Sequence, residues 1–221
     1  MEYYYNQRKG YNMQLNEKYR PKQFSEVVGQ SKAVTMLESL PGLSGRAYWI
    51  AGKSGTGKTT LARIIGNKVA SKFYCTELLA DDLTKDMIRQ WVDDQYYMPM
   101  GGMGRCYIIN EAHGLRKDTM RKLLGFIEDL REYTTVIFTT TIEGQTDLFE
   151  EHYDASPLLS RCKLVPMAYQ GIAKPFSVHL QRIASEYSGK EVTAAACLKL
   201  INTYKGNLRA AIGDIEAGLL N

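Results

Sequence analysis

Residues 52–59 have the composition and spacing of a loop that binds phosphate. The segment reads Gly-Lys-Ser-Gly-Thr-Gly-Lys-Thr and fits the pattern G-x-x-x-x-G-K-[ST]. Its glycines let the backbone approach phosphate oxygens closely, and backbone N–H groups at a helix start supply positive potential. Lys58 is expected to reach the β- and γ-phosphates of ATP, and the Thr59 hydroxyl is expected to bind Mg²⁺. The residues predicted to bind the nucleotide are Gly52, Ser54, Gly55, Thr56, Gly57, Lys58, Thr59 and Thr60.

A second set of polar side chains follows the apolar segment Cys106–Ile109. Asn110 and Glu111 come directly after it, and His113 follows two residues later. Open α/β sheets bind ligands at the carboxyl ends of their strands, which is where these residues would lie. Glu111 is a candidate general base that activates water. The Asn110 amide could accept a hydrogen bond from water bound to Mg²⁺, and His113 could be either catalytic or structural.

Three threonines end a further β-branched segment. Thr139, Thr140 and Thr141 follow Val-Ile-Phe at 136–138. One of their hydroxyls could position the attacking water or contact the γ-phosphate. The same residues also fit ordinary strand propensity, because threonine favours strands. Spacing alone leaves both interpretations open.

The elements that would position these residues alternate between strands and helices. Short apolar segments predict strands at Ala47–Ala51, Phe73–Cys75, Cys106–Ile109, Thr135–Thr139 and Lys163–Val165. Helical spacing predicts helices at Gln30–Leu40, Thr59–Ala70, Asp86–Val92 and Leu115–Leu130, and at about 175–188, 192–203 and 207–219. Strands that alternate with helices imply a parallel sheet covered on both faces. The predicted fold is therefore α/β, with a P-loop core that contains a parallel five-stranded sheet flanked by helices, and a small three-helix domain after it.

Length and composition fit an ordinary globular protein with one large and one small domain. The chain has 221 residues, 24% of them charged, and a net charge of +4, which permits an anionic partner without requiring one. We expect a flexible arm at 1–15, a nucleotide-binding core at 16–168 and a helical domain at 169–221. Three adjacent tyrosines at 3–5 could stack on bases or belong to a flexible tail.

Several other classes of protein are excluded by the same composition. No apolar segment approaches the length that spans a bilayer, and the polar N-terminus contains no apolar signal region. The cysteines lie far apart without C-x-x-C spacing, which favours free thiols in a reducing cytoplasm over a disulfide framework or a zinc site. These cysteines are Cys75, Cys106, Cys162 and Cys197.

The ordered set of motifs resembles the AAA+ ATPases of the clamp-loader clade, in particular the bacterial gamma/tau clamp-loader subunits. The resemblance covers residues 16–219, and its most specific part is Leu-Ser-Arg-Cys at 159–162 combined with the phosphate loop. The other matching segments are Asn16–Lys22, Phe24–Gln30, Arg89–Pro99, Gly104–Ile109 and Gly206–Ala211. The resemblance implies an AAA+ core, a helical lid and an ATPase that acts in DNA replication.

The resemblance also implies roles for individual residues outside the phosphate loop. Tyr19, Val27 and Val28 match the positions that pack around the adenine. Thr141 matches the sensor-1 position, and Arg209 matches the sensor-2 position of the lid. Arg161 matches the arginine finger, which would reach the ATP of a neighbouring subunit in trans. A guanidinium there would neutralise the charge that develops on the γ-phosphoryl oxygens.

The partners that the resemblance implies are other AAA+ clamp-loader-type subunits, in a homo- or hetero-oligomer, a sliding clamp and primer–template DNA, with no membrane. Cations near helix starts can bind the DNA backbone without reading its sequence. The same cations also fit a solvated helix face, because charges usually lie opposite an apolar stripe. The positions that match DNA-contacting residues are Arg89, Arg116, Lys117, Arg121 and Lys122.

The sequence departs from the clamp-loader pattern at four places. Asn110 stands where P-loop ATPases usually have aspartate, which predicts weaker metal binding or slower turnover. Only Cys75 lies where the gamma/tau subunits carry a four-cysteine zinc element, so no zinc is expected. The acidic segment 142–158 is longer than usual. The lid ends at Asn221 without the helical collar of clamp loaders, and we expect no collar-based assembly from these residues alone.

Three functions are compatible with this pattern. The first is an ATP-hydrolysing subunit of a clamp-loader-like complex, with Lys58 and Mg²⁺ stabilising charge and Glu111 activating water. The second is a nucleotide-dependent binding or adaptor module of a replication complex, comparable to a helicase loader or a decoy subunit, with weak or no ATPase activity; Asn110 favours this function. The third, a small-molecule kinase, shares the phosphate loop but not the lid helices and Arg209.

Overall fold

The computed structural model describes residues 13–141 and 155–218 of the chain. The three tyrosines at 3–5 and most of the predicted acidic loop at 142–158 lie outside the described residues. No helix within the described part of the chain is long and apolar enough to cross a membrane. All four cysteines are described, and none of them forms a disulfide.

The described residues form two compact units. The larger unit is Pro21–Ile172, and the smaller one joins the residues up to Arg20 to those from Ala173 onward. The predicted limits of the arm, the core and the lid stay a prediction.

The larger unit is built on a parallel sheet of five strands. Their order across the sheet is β2-β3-β4-β1-β5, and every neighbouring pair is parallel. This arrangement confirms the predicted fold class. The strands are β1 (Ala47–Ala51), β2 (Ala70–Leu79), β3 (Gly104–Asn110), β4 (Thr134–Thr140) and β5 (Lys163–Pro166).

Seven of the described helices have bounds close to those that the sequence predicts. Two short helices were not predicted, at Leu15–Lys18 and at Ala155–Ser160, and the second covers the described end of the segment expected to be an acidic loop. The helix predicted at Leu115–Leu130 covers only Lys117–Glu128, because Leu115 and Arg116 have extended backbone angles. The helices are α1 (Leu15–Lys18), α2 (Ser31–Glu38), α3 (Lys58–Val69), α4 (Lys85–Asp94), α5 (Lys117–Glu128), α6 (Ala155–Ser160), α7 (Ala173–Ser188), α8 (Ala194–Thr203) and α9 (Leu208–Glu216).

Strand β2 is much longer than the predicted Phe73–Cys75. It lies at the edge of the sheet, and most of its side chains are exposed or half-buried. It therefore lacks the continuous apolar run by which a fully buried parallel strand is predicted. The extra length brings Glu77 into register with Ile108 of β3, close to the carboxyl end of the sheet.

The sheet has an apolar core on each face, because side chains alternate along every strand. Trp49, Tyr107 and Phe138 point to the face covered by α4 and α5, and the Trp49 and Phe138 rings lie 5.2 Å apart. Ile50 and Ile108 point to the opposite face, where they pack with residues of α2 and α3. Burial on both faces fixes the register of the central strands, since a slip of one residue would exchange the two faces. The polar ends of these strands are held in place by that register.

The smaller unit packs α7, α8 and α9 around their own buried side chains. Phe176, Leu180 and Ile201 are among its most buried residues. Helix α1 packs against α9, and the backbone N–H of Leu15 donates a hydrogen bond to the Glu216 carboxylate (3.4 Å). The segment before the phosphate loop thus contributes a helix to this unit.

Candidate nucleotide-binding site

The phosphate loop lies between the end of β1 and the start of α3. Gly57 caps α3 with a φ of 98°, a left-handed conformation that glycine adopts without steric cost. Gly52 is needed for a different reason, since a Cβ there would lie 2.5 Å from the Cβ of Met167. Thr56 is buried, and its hydroxyl donates to the Lys53 carbonyl (2.8 Å), while Ser54 is exposed. The loop therefore presents its backbone at the N-terminus of α3. This is the arrangement in which backbone N–H groups bind anions.

Lys58 places its ammonium group inside this loop. The residue is only 7% exposed, and Nζ donates to the carbonyls of Gly52 (3.0 Å) and Lys53 (3.1 Å). A buried ammonium needs acceptors of this kind, because desolvation without them is costly. The structure thus puts a cation at the point where the loop would surround phosphate oxygens. The next residues of α3, Thr59 and Thr60, are half-buried beside it.

Asn110 and Thr59 face each other across the end of the sheet. The Thr59 hydroxyl donates to Asn110 Oδ1 (3.3 Å), and the buried Thr139 hydroxyl donates to the same oxygen (2.8 Å). Hydroxyl and amide oxygens suit Mg²⁺, which prefers oxygen ligands and usually keeps several waters and substrate phosphates. Within 13–141 and 155–218, no group of three or more His, Cys, Asp or Glu side chains could hold a metal ion. These residues fit Mg²⁺ that is brought by a nucleotide, rather than a cage made by the protein alone.

Glu111 follows β3 in a left-handed conformation, with φ 53° and ψ 53°. This conformation costs a non-glycine residue about 1–3 kcal/mol and is typical of functional sites. It turns the chain at the strand end and leaves the carboxylate about half exposed at the carboxyl edge. Nδ1 of His113 lies 3.6 Å from Glu111 Oε2 and 3.4 Å from the Thr140 hydroxyl. The structure therefore puts His113 between the candidate base and the end of β4, just before Thr141.

Gln30 is a structural part of the site that sequence reasoning did not identify. The residue is buried, and its Nε2 donates to the carbonyls of Thr56 (3.2 Å) and Ala168 (3.0 Å). Its Oε1 accepts from the N–H of Ala168 (2.7 Å). One amide thus ties the phosphate loop to the chain after β5. A glutamine just before a helix gives no local signal of such a role.

The chain is similar in sequence to subunits of replication complexes. The chain is 27% identical over 233 residues to the DNA polymerase III subunit gamma/tau of Mycoplasma pneumoniae, covering 91% of this chain and 32% of the relative. It is 27% identical over 209 residues to the replication factor C large subunit of Thermococcus kodakarensis, covering 90% and 39%. It is 30% identical over 154 residues to the DNA polymerase III subunit tau of Escherichia coli, covering 58% and 24%. No family model matches the chain.

Solved structures with the same fold include a RuvB mutant from Thermotoga maritima. Its TM-score is 0.70 at 23% identity, and the match covers 90% of this chain and 65% of the RuvB chain. The chain is therefore similar in sequence to clamp-loader-type subunits and similar in fold to RuvB. It spans 22–42% of the length of the curated relatives that it matches.

Arg161 lies at the end of the sheet opposite the phosphate loop, where the strands begin. It precedes β5, whose first residue, Lys163, pairs with Tyr48 near the start of β1, whereas the loop begins after the last residue of β1. The five residues of β1 span about 16 Å. Arg161 pairs with Glu128 at the end of α5 (2.5 Å) and donates to the Pro157 carbonyl (3.1 Å). In this arrangement Arg161 does not reach the phosphate loop of its own chain.

The residues matched to adenine binding and to sensor 2 belong to different units. Val27 and Val28 are half-buried in the larger unit, just before Gln30. Tyr19 and Arg209 belong to the smaller unit, where Tyr19 ends α1 and Arg209 is an exposed residue in the first turn of α9. The Asn207 side chain caps α9 by accepting from the N–H of Ala210 (3.2 Å). Their roles at the nucleotide stay predictions.

The cations matched to DNA contact lie on two helices that pack together, α4 and α5. Arg89 on α4 pairs with Asp86 of the same helix (2.6 Å). Lys85 of α4 pairs with Asp118 of α5 (2.6 Å), and this hydrogen bond lowers the pKa of Asp118. This pair neutralises one of the negative charges that lie close to these cations. The other cations matched to DNA contact are all exposed, and they are Arg116, Lys117, Arg121 and Lys122.

The buried Gln30 amide gives a test of the loop geometry. Gln30→Ala leaves the Thr56 carbonyl and the Ala168 N–H and carbonyl without this partner, at about 1–3 kcal/mol for an unsatisfied buried group. We expect it to lower the free energy of unfolding by about 2–4 kcal/mol and to weaken ATP binding, as measured by chemical denaturation and calorimetry. Gln23→Ala is the control, because Gln23 is exposed and makes no capping bond. Equal stability of the two variants would contradict the bracing role.

Proposed function

We propose that the chain is an ATP-hydrolysing subunit of a clamp-loader-like complex, which couples ATP to the handling of a sliding clamp or of primer–template DNA. The observation that carries the proposal is the meeting of Lys58, Thr59, Asn110 and Glu111 at one edge of the sheet. The similarity to replication subunits supports the biological setting, with other AAA+ subunits as partners. Free thiols fit the predicted cytoplasmic setting.

The residues at this end of the sheet would have separate roles in ATP hydrolysis. Lys58 and the loop N–H groups hold the phosphates and stabilise negative charge as it develops. Mg²⁺, when bound, neutralises charge on the phosphate oxygens. Thr59 and Asn110 present oxygen atoms to that ion and its water, and Glu111 accepts the proton of the attacking water. Thr141, directly after β4, would contact the γ-phosphate or that water.

Arg161 would complete the site of a neighbouring subunit rather than its own. Its place at the opposite sheet edge supports action in trans, because about 16 Å of strand separates it from the phosphate loop of its chain. A subunit interface that joins the two edges would bring this guanidinium to the γ-phosphate. Hydrolysis would then depend on assembly. Arg209 would report nucleotide from the lid of the same chain.

Two variants separate ATP binding from turnover. Lys58→Ala removes the buried cation, and we expect it to abolish measurable ATP binding. Glu111→Gln keeps the shape of the base but cannot take the proton, so ATP binding is expected to stay within about threefold of wild type while turnover falls by about 10²–10⁴. Calorimetry and single-turnover hydrolysis with DNA measure the two effects. Tight ATP binding by the wild type without turnover would favour the adaptor function, to which Asn110 already points.

Mixing two inactive variants tests the arginine finger. Arg161→Ala keeps its own phosphate loop, and Lys58→Ala keeps its finger, so a mixed assembly contains sites with both parts. Arg161→Ala alone is expected to lose about 10³–10⁵ in turnover, and Lys58→Ala alone is expected to show none because it does not bind ATP. The mixture is expected to recover a measurable fraction of the wild-type turnover, increasing with protein concentration. Arg182→Ala, at an exposed residue of α7, is the control. A mixture as inactive as its components would exclude action in trans.

The α4–α5 cations are proposed to contact the DNA backbone. Replacing Arg116, Lys117 and Lys122 by alanine is expected to weaken DNA binding for every sequence alike. It should also reduce the slope of log K against log salt by about one for each phosphate that the variant no longer neutralises. Fluorescence anisotropy at several salt concentrations measures the slope. Lys190→Ala, at an exposed residue of the smaller unit, is the control, and an unchanged slope in the triple variant would contradict the proposal.

A further inference from the structure

The Asn110 amide is held on its donor side by a carboxylate from the neighbouring strand. Its Nδ2 donates to Glu77 Oε1 at 2.9 Å, while its Oδ1 accepts from Thr59 and Thr139. Glu77 comes from the part of β2 that the sequence did not predict as strand. Asn110 itself is buried, so its polar atoms depend on these hydrogen bonds in place of water.

The chemistry of Glu77 decides which way the amide points. An ionised carboxylate only accepts hydrogen bonds, so the group that faces it must be the NH₂ of Asn110. The amide oxygen is thereby directed toward Thr59, where Mg²⁺ and its water are proposed to bind. In the reverse orientation, Asn110 would present two donor hydrogens to the metal site. A donor there would repel a cation and could not accept from its water.

Arg63 fixes the carboxylate in turn. Its Nε and Nη2 donate to Glu77 Oε2 (2.7 Å) and Oε1 (3.1 Å), a two-point contact that sets the plane of the carboxylate. Arg63 lies one helical turn after Thr59 on α3. The chain of contacts from Thr59 through Asn110 and Glu77 to Arg63 therefore begins and ends on the helix that follows the phosphate loop.

We propose that Glu77 is a positioning residue of the metal-binding part of the site, which orients the Asn110 amide and makes asparagine rather than aspartate the suitable residue at 110. The proposal rests on the proposed function as an ATP·Mg²⁺ site. Its consequence is unusual: restoring aspartate, the residue that P-loop ATPases usually have, is harmful in this chain. An aspartate at position 110 would set its carboxylate against that of Glu77, across the distance now bridged by a hydrogen bond.

A charge exchange between the two positions tests this arrangement. Asn110→Asp places two carboxylates together, whereas Asn110→Asp combined with Glu77→Gln restores a donor–acceptor pair with the charge moved to position 110. Binding of a fluorescent ATP analogue is measured over a range of Mg²⁺ concentrations. Melting temperature is measured separately without nucleotide or metal. Glu38→Gln, at an exposed residue of α2, is the matched control.

We expect Glu77→Ala to raise the Mg²⁺ concentration for half-maximal binding about tenfold, as removal of a metal-orienting partner does. Asn110→Asp should raise it at least as much and melt about 2–4 °C below wild type, because like charges would face each other. The double variant should return both values to near those of wild type. Asn110→Asp binding as well as wild type, or a double variant no better than Asn110→Asp, would overturn the proposal.

The two proposals fail in different ways. If the wild type binds no ATP analogue at any Mg²⁺ concentration, the proposed function is wrong. The melting temperatures still test whether Glu77 and position 110 are coupled. If the wild type binds the analogue and Glu77→Ala binds it with unchanged Mg²⁺ dependence, the proposed function stands and the role of Glu77 is wrong.

Discussion

In a parallel sheet the carboxyl ends of all strands lie at the same end of the sheet, and the candidate nucleotide site depends on that constraint. β1 delivers the phosphate loop, β3 delivers Asn110 and Glu111, and β4 delivers Thr139. Because both faces of the central strands are buried, their register cannot shift without exchanging core and surface side chains. The fixed register is what brings an amide from β3 and a hydroxyl from β4 within 2.8 Å of each other.

The same constraint bears on the role proposed for Arg161. In a parallel sheet, a residue that precedes a strand and a residue that follows a strand lie at opposite ends of the sheet. Arg161 precedes β5. About 16 Å of strand separates Arg161 from the phosphate loop of its own chain, so in the proposed role Lys58 and Arg161 of one chain would serve different nucleotides. Dependence of hydrolysis on assembly is therefore a consequence of parallel topology, given the role proposed for Arg161.

The features that could be predicted from the sequence are those encoded by neighbouring residues. The phosphate loop is one contiguous motif, and the buried strands are apolar runs, so the fold class and the order of elements follow from local pattern. Gln30, Glu77 and Thr139 could not be assigned in this way. Each acts through a partner far away in sequence, and Glu77 lies on an edge strand whose exposed side chains hide its β-structure. Their roles depend on register, which sequence spacing does not contain.

The ion pair between Arg161 and Glu128 is compatible with the role proposed for Arg161. Both side chains of the Arg161–Glu128 pair are more than a third exposed, and such pairs contribute about 0–1 kcal/mol. An arginine finger that raises turnover 10³–10⁵-fold stabilises the transition state by about 4–7 kcal/mol. Exchanging the first interaction for the second is favourable by a wide margin. In the proposed role, the guanidinium of Arg161 can therefore stay paired with Glu128 in the free chain and still move to the nucleotide of a neighbouring subunit.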